Sequence, residues 1–408
     1  MWRNTDMTVS SIAVGEPFPS GRTLAVSRSG RRNRTEISGE LLEQFKLNDT
    51  SGERQVERPC SMKLFRHLVL IFLLISQARA GEQRSVSQPA EPETFFREFV
   101  GLSDEQIRDV RLGKAIAIVL PSPVPDEVFV FGTVYINSTP EQYLKLASDL
   151  DALRKVPSFL ALRKFSDPPQ PADLDGFSFE DEDLKDTQRC QPGHCEIQLP
   201  AETMEEFQKS VDWSASDHAD KANRLAQRMV LDALQRYEQG GNSALGTYRD
   251  KNHPTQVADS FASLLHEIRA LPAYLPELEQ YLLKYPDAAS DQIKSDFYWE
   301  KVNFGLKPTL RVVQVITYHG TSPDKPAYAV AVKQLYASHY FQTALDGTVC
   351  AKDSSGSGFY LITIKGSRQA GLTGFKGGIV RKVAIDKTRS ALQKALASYK
   401  QQLEAKQE

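Results

Sequence analysis

Histidine is the side chain best suited to proton transfer near neutral pH. His339 stands among aromatics in the run Tyr336-Ala337-Ser338-His339-Tyr340-Phe341. On an alternating strand, Ala337, His339 and Phe341 share one face, while Tyr336, Ser338 and Tyr340 share the other. A histidine on a cavity wall orients a polar ligand head or serves as a general base. The plainer reading is a hydrogen-bonded structural histidine. No Ser-His-Asp spacing is visible. Ser357 lies in Gly356-Ser357-Gly358 but lacks the G-x-S-x-G frame, because Ser355 stands two residues before it. We therefore assign no catalytic residue. Tyr336, His339, Tyr340 and Phe359 are placed on the wall of an apolar ligand cavity.

Cys190-Gln191-Pro192-Gly193-His194-Cys195 brings two thiols together around a Pro-Gly turn, which predicts a local disulfide. The loop is short, so its chain-entropy contribution falls at the low end of the ~2–4 kcal/mol typical of disulfides. Cys350 is left single and is expected inside a strand. His194 adjoins Cys195, but no second Cys/His cluster completes four zinc ligands. The order is also not C-x-x-C-H, so no metal and no cofactor is expected. In the segment 167–186, Asp167, Asp173, Asp175, Glu180, Asp181, Glu182, Asp183 and Asp186 face only Lys185. Read as a calcium loop, the first ligand position would fall on Pro171, which has no side-chain oxygen. The segment reads as a solvated acidic connector, and 166–195 as a linker.

Gly371-Leu372-Thr373-Gly374-Phe375-Lys376-Gly377-Gly378 opens the last helix. Free amides at a helix start hold anions. The spacing, however, fits neither the dinucleotide fingerprint nor the P-loop, and reads as a flexible connector. Around it, Lys365, Arg368, Lys376, Arg381, Lys382, Lys387 and Arg389 stand against Asp386. Lys376, Arg381 and Lys382 are the expected contacts to anionic headgroups, at roughly 1 kcal/mol per residue near an anionic surface. A solvated rim, or docking on the 167–186 segment, are the other readings of this patch.

The whole chain has 408 residues, 50 Lys+Arg against 52 Asp+Glu, 40% hydrophobic residues and 4 Cys. That composition excludes a mostly disordered chain, a collagen-like repeat, a multi-span membrane protein and a disulfide-dense mini-domain. The near-neutral charge makes no case for nucleic-acid binding. Residues 62–80 have the anatomy of a signal peptide: Lys63 and Arg66, the apolar run Leu68 to Ile75, then Ala78-Arg79-Ala80 before Gly81. The run is far shorter than the ~20 apolar residues that span a bilayer as a helix. Cleavage near Ala80 and a periplasmic or secreted product are expected. Residues 1–61 are polar and read as a disordered or mis-annotated extension, with Met62 as the start. The rival reading is a cytoplasmic tail before an uncut anchor.

The elements that would position these residues fall into zones. Residues 81–165 read as a strand and helix part. In it, V-F-V-F-G-T-V-Y-I (128–136) is a strand, and Thr139-Pro140-Glu141 caps a helix carrying Tyr143, Leu144, Ala147 and Leu150. Residues 196–306 read as a mostly helical insertion with apolar stripes such as Leu225, Met229, Leu234 and Tyr237. Residues 307–408 read as an antiparallel meander, a Gly-rich loop at 366–378 and a long terminal helix. Its expected buried stripe is Val380, Val383, Ala384, Lys387, Ala391, Leu392, Ala395, Leu396, Tyr399 and Leu403.

The order of these elements, with I-N-S-T-P-E-Q-Y-L-K-L-A-S-D-L after the first strand, resembles the START or helix-grip arrangement. The likeness covers 128–165 and 308–405. It implies an α+β fold in which a curved antiparallel sheet packs on the C-terminal helix around an apolar cavity. Separately, K-Q-L-Y-A-S-H-Y-F, Y-L-I-T-I-K-G-S-R and G-F-K-G-G-I-V-R-K resemble a family of uncharacterised exported bacterial proteins. That resemblance implies no activity. The function expected is binding of a lipid-like or other hydrophobic small molecule, with possible membrane-surface contact and no nucleic acid. The alternatives are an envelope hydrolase using His339 and a non-catalytic module whose residues 200–300 bind another protein.

Overall fold

A strand with one wet face alternates apolar and polar residues; a strand covered on both faces does not. All ten positions of Glu127–Ile136 are buried. The sheet that contains this strand must therefore be covered on both sides. The computed structural model describes residues 91–268, 274–304, 307–321, 326–353, 356–372 and 374–405. The segments read as a signal peptide and an upstream extension, and residues 81–90, lie outside the described residues.

The strands are β1 (Ile116–Leu120), β2 (Glu127–Ile136), β3 (Phe159–Lys164), β4 (Thr247–Tyr248), β5 (Thr255–Gln256), β6 (Ile293–Val302), β7 (Thr309–His319), β8 (Tyr328–Ala337), β9 (Phe341–Lys352) and β10 (Phe359–Gln369). Eight of them form one sheet in the order β1-β2-β10-β9-β8-β7-β6-β3, and β4 pairs with β5 separately. Every pairing is antiparallel. The early strand β2 lies beside the last strand β10 over ten residue pairs, Phe359↔Ile136 to Arg368↔Glu127.

The helices are α1 (Pro92–Phe95, continuing as the π-helical turn Phe96–Val100), α2 (Asp104–Arg111), α3 (Pro140–Ala147), α4 (Leu150–Arg154), α5 (Asp181–Arg189), α6 (Ala201–Ser210), α7 (His218–Gly240), α8 (Val257–Glu267), α9 (Pro276–Lys284) and α10 (Gly374–Glu404). α3 starts as its sequence predicts: the Thr139 hydroxyl accepts from the Gln142 amide, and Pro140 occupies the first turn. The fold is α+β, a large antiparallel sheet with the C-terminal helix and other helices packed on it.

Side-chain alternation divides the helices between two faces. On one face, Val128, Val130, Val134 and Ile136 of β2 join Val313, Val315, Val330, Val332 and Leu361. Tyr143 and Leu144 of α3, Leu153 of α4, and Ile385, Leu392, Leu396 and Leu403 of α10 cover them. On the other face, Phe131 and Tyr135 meet Phe95 and Phe96. Ile316 and Tyr318 meet Phe261, Leu264 and Leu282 of α8 and α9. Phe297, Trp299 and Val312 meet Phe207, Leu225 and Leu234 of α6 and α7. Helices α5 to α9 thus form an outer layer on the face away from α10.

Four expectations need correction. Residues 167–186 are no solvated connector. They hold a short 3-10 turn at Pro171–Leu174 and α5, anchored by buried Phe177, Phe179 and Leu184. Lys301 binds Glu180 at 2.7 Å, and Lys307 binds Glu182 and Asp186 at 3.1 Å each, so the acidic charge is met by the β6 and β7 region. Helix does not continue to residue 306: Phe297, Tyr298 and Trp299 lie on β6, where successive aromatics serve opposite cores. The glycine-rich loop is shorter than read, because β10 runs to Gln369 and α10 begins at Gly374. Finally, Val383 of the expected buried stripe is 48% exposed, and Ile385 is buried instead. β3 had no counterpart in the sequence reading.

α10 packs tightly on the sheet at Gly132 of β2. A Cβ built there would stand 2.8 Å from Leu392 and Leu396 side-chain carbons. Gly347 on β9 has nothing within 4 Å of such a Cβ. Gly132→Val is expected to lower unfolding free energy by about 1–3 kcal/mol through overpacking. Gly347→Ala should stay within about 0.5 kcal/mol of the parent. Urea denaturation followed by circular dichroism distinguishes the two.

Candidate functional site

An apolar face between a sheet and a helix has no use for charge, so each polar side chain on it calls for an account. On the face turned toward α10, the apolar strands carry Glu300, Arg311, Gln334, Asp346, Thr348, Thr363 and Lys365. Register places them. Glu300 pairs across to Arg311, Gln334 to Val313, Asp346 to Lys365 and Thr348 to Thr363. Each lies an even number of residues from Tyr298, Val313, Val332, Cys350 or Leu361, which line the α10-side core.

Glu300 is fully buried and Arg311 nearly so. Arg311 Nη1 is 2.7 Å from Glu300 Oε1. The guanidinium carbon lies 5.9 Å from the centroids of both Phe304 and Phe341, within cation–π range. Lys365 Nζ is 2.5 Å from Asp346 Oδ2. Gln334 Nε2 donates to the Phe341 carbonyl at 2.9 Å. Thr348 and Thr363 share a hydrogen bond of 3.2 Å. Burial pushes the Glu300 carboxyl above the ordinary carboxylate range; Arg311 and Lys365 pull it back down, and Asp346 pushes it further up. Among the described residues, Glu300 Oε2, Arg311 Nε and Gln334 Oε1 are buried with no hydrogen-bond partner.

Chemically, this band offers one unmet donor and two unmet acceptors within a charge-balanced set. Such a set recognises a polar group. No group of three or more His, Cys, Asp or Glu that could hold a metal ion occurs among the described residues. A separate groove of about 760 Å³ runs along the edge strand β3, lined by residues such as Arg154, Leu160, Arg163, Asp175 and Trp299.

The four residues assigned to a cavity wall do not share a surface. Phe359 is on the α10 side. Tyr336 points to the outer helical layer, its ring centroid 6.3 Å from that of Tyr248. His339 and Tyr340 are not on an alternating strand at all. The chain turns between β8 and β9, and Tyr340 takes a left-handed φ of 63°. The Tyr340 hydroxyl accepts from the Lys307 amide at 3.1 Å.

His339 is 4% exposed. Its Nδ1 is 3.1 Å from the Glu196 carbonyl oxygen, and its Nε2 is 3.1 Å from Asp183 Oδ1. Both ring nitrogens thus have a hydrogen-bond partner in the protein. The imidazole is a brace tying α5 and the segment after Cys195 to the sheet. Cys190 and Cys195 are joined by a disulfide, which holds the same segment from behind. Cys350 is buried on β9.

The basic patch is partly discharged. Arg368 pairs with Asp126 at 3.3 Å, and Arg381 Nη2 donates to the Glu127 carbonyl at 3.0 Å. Lys382 is exposed. The side chain of Lys376 lies outside the described residues. No described helix is long and apolar enough to cross a membrane.

The polar band had a signal in the sequence that went unread. Arg311, between Leu310 and Val312, interrupts an apolar strand run, and a lone polar residue in such a run is the informative exception. No family model matches the chain, and no curated protein is significantly similar to it.

Removing one side of a buried pair strands the other in low dielectric. His339→Ala, which leaves the buried Asp183 carboxyl without its imidazole partner, is expected to cost about 1–3 kcal/mol of stability. Guanidinium unfolding measures the loss; a change below 1 kcal/mol would show that the brace carries no weight.

Proposed function

We propose that the protein binds a small amphipathic molecule between the sheet and α10. The apolar body lies against Val313, Val315, Val330 and Val332, and the polar head meets Glu300, Arg311 and Gln334. One observation carries this reading: three polar atoms on that face are buried without a partner among the described residues. Each such atom costs roughly 1–3 kcal/mol. Native proteins rarely leave several together without a ligand, water or strain to account for them. The aromatic rings of Phe304 and Phe341 beside Arg311 give the head a flat, apolar flank.

The chain path supports the helix-grip comparison as well. β2, α3, α4 and β3 come first, the meander β6 to β10 follows, and α10 comes last, packed on β1 and β2. In this reading the outer layer of α5 to α9 is an addition on the opposite face, and it leaves the ligand face free. The signal-like segment 62–80 adds export to the proposal, so the ligand is one met outside the cytoplasm. The basic residues Arg381 and Lys382 on the first turns of α10 suit an approach to an anionic membrane surface, where a lipid-like ligand would be collected or released.

Extraction of the purified protein with organic solvent, followed by mass spectrometry, should yield a bound amphipathic compound. The stripped protein should take up Nile red, and the extracted compound should displace it. Gln334→Leu, which removes one acceptor without adding charge, should weaken displacement by the natural compound about 2–10-fold, the value of one hydrogen bond. Nile red itself should bind as before. Absence of any extractable compound together with no Nile red uptake would end the proposal.

A further inference from the structure

Lys333 on β8 is 0% exposed, and its side chain points to the face opposite the polar band. Its cross-strand neighbours there are Gln314 and Leu345. The amine donates to the Tyr237 hydroxyl at 2.8 Å and to Asn242 Oδ1. The ring centroids of Phe261 and Tyr237 lie 4.2 and 5.0 Å from Nζ. The Tyr237 hydroxyl donates in turn to Gln314 Oε1 at 2.8 Å. Asn242 Nδ2 donates to the Leu282 and Leu283 carbonyls at 3.0 and 2.9 Å. One amine therefore joins β7 and β8 to α7, to the turn Gly241–Ala244, to α8 through Phe261 and to the end of α9.

We propose that Lys333 is a pH-sensitive latch between the sheet and the outer helical layer: the uncharged amine keeps α7, the Gly241–Ala244 turn, α8 and α9 closed on β7 and β8, and the protonated amine favours their local opening. The reason is the absence of a counter-charge. No ion pair involving Lys333 occurs among the described residues, and burial alone displaces its proton affinity, down to about 7. The titratable groups that face it are Tyr237 on α7, Tyr281 on α9 and Tyr285 just after it, all pushed up by burial and therefore uncharged near neutrality. α8 presents Phe261, β7 presents Gln314 and β9 presents Leu345, none of which titrates. A protonated Lys333 reaches water only if the layer above it lifts.

The direction follows from linkage. The opened state titrates near the ordinary lysine value of about 10.4, and the closed state near 7. Between those values the opened state holds a proton that the closed state lacks. The opening constant therefore falls about tenfold for each pH unit gained, and it is flat and largest below about 7. Hydrogen exchange read by mass spectrometry on the full chain, corrected for intrinsic rates, tests this. Protection in 257–267 and 276–284 should rise about tenfold per unit between pH 7.5 and 9, while 341–352 should not follow. Lys333→Met should remove the slope and show the high protection already at pH 6. An equal slope in the variant, or a slope shared by 341–352, overturns the proposal. A carbon-13 titration of the Lys333 ε-methylene keeps the test alive if the variant does not fold: a midpoint near 7 supports the latch, and one near 10.4 overturns it.

Discussion

The middle of the central sheet is dry, while its edge strands β1 and β3 keep exposed side chains such as Val119 and Leu160. Helices cover it on both sides, so ten consecutive residues of β2 are buried and the usual alternation of wet and dry positions disappears. Under that constraint a polar side chain on a central strand cannot fall back on water. It must find a partner in the protein, and how well it succeeds sorts the buried groups into kinds. Thr348 and Thr363 satisfy each other. His339 fits between a carboxylate and a carbonyl. Glu300 and Arg311 neutralise each other yet leave atoms unmet. Lys333 has hydrogen-bond partners but no opposite charge.

These differences matter because the two faces do different work. Toward α10 the unmet atoms gather near Arg311, beside the paired rings of Phe304 and Phe341. Toward the outer layer, the hydrogen bonds of Lys333 and Tyr237 fasten helices to strands. Glu300 and Lys333 both suffer from burial, but in opposite senses: the carboxyl is driven up and the amine down, each toward its neutral form. Arg311 restores part of the charge on Glu300. Nothing of the kind stands beside Lys333, which is why the amine and not the carboxyl makes the helical layer responsive to pH.

Much of the local structure was legible in the chain. Thr139 and Pro140 announced α3, because an N-cap hydroxyl and a fixed φ act within one turn. The Pro-Gly turn between Cys190 and Cys195 announced the disulfide, since six residues decide it. The aromatic and β-branched runs of β2, β7 and β8 read as strands. Several judgements that depended on a distant neighbour failed. The acidic segment looked solvated until Lys301 and Lys307 met it from 121 residues away. Phe297 to Trp299 looked like part of a helical zone, because an aromatic run without alternation carries no period by which to recognise a strand covered on both faces. His339 looked like part of a strand until Tyr340 broke the strand with a left-handed turn.

By itself, the sequence determined the α+β class, the antiparallel meander, the closing helix and the short-range cross-link. Each of these arises from propensity, patterning or turn chemistry acting over a few residues. Only the tertiary structure decided which polar residues meet: Glu300 with Arg311 across two strands, His339 with Asp183 over 156 positions, Lys333 with Tyr237 over 96. The physical reason is that strand pairing and helix docking bring together groups whose separation along the chain carries no signal. The energy of a buried polar group depends on that company far more than on its own identity.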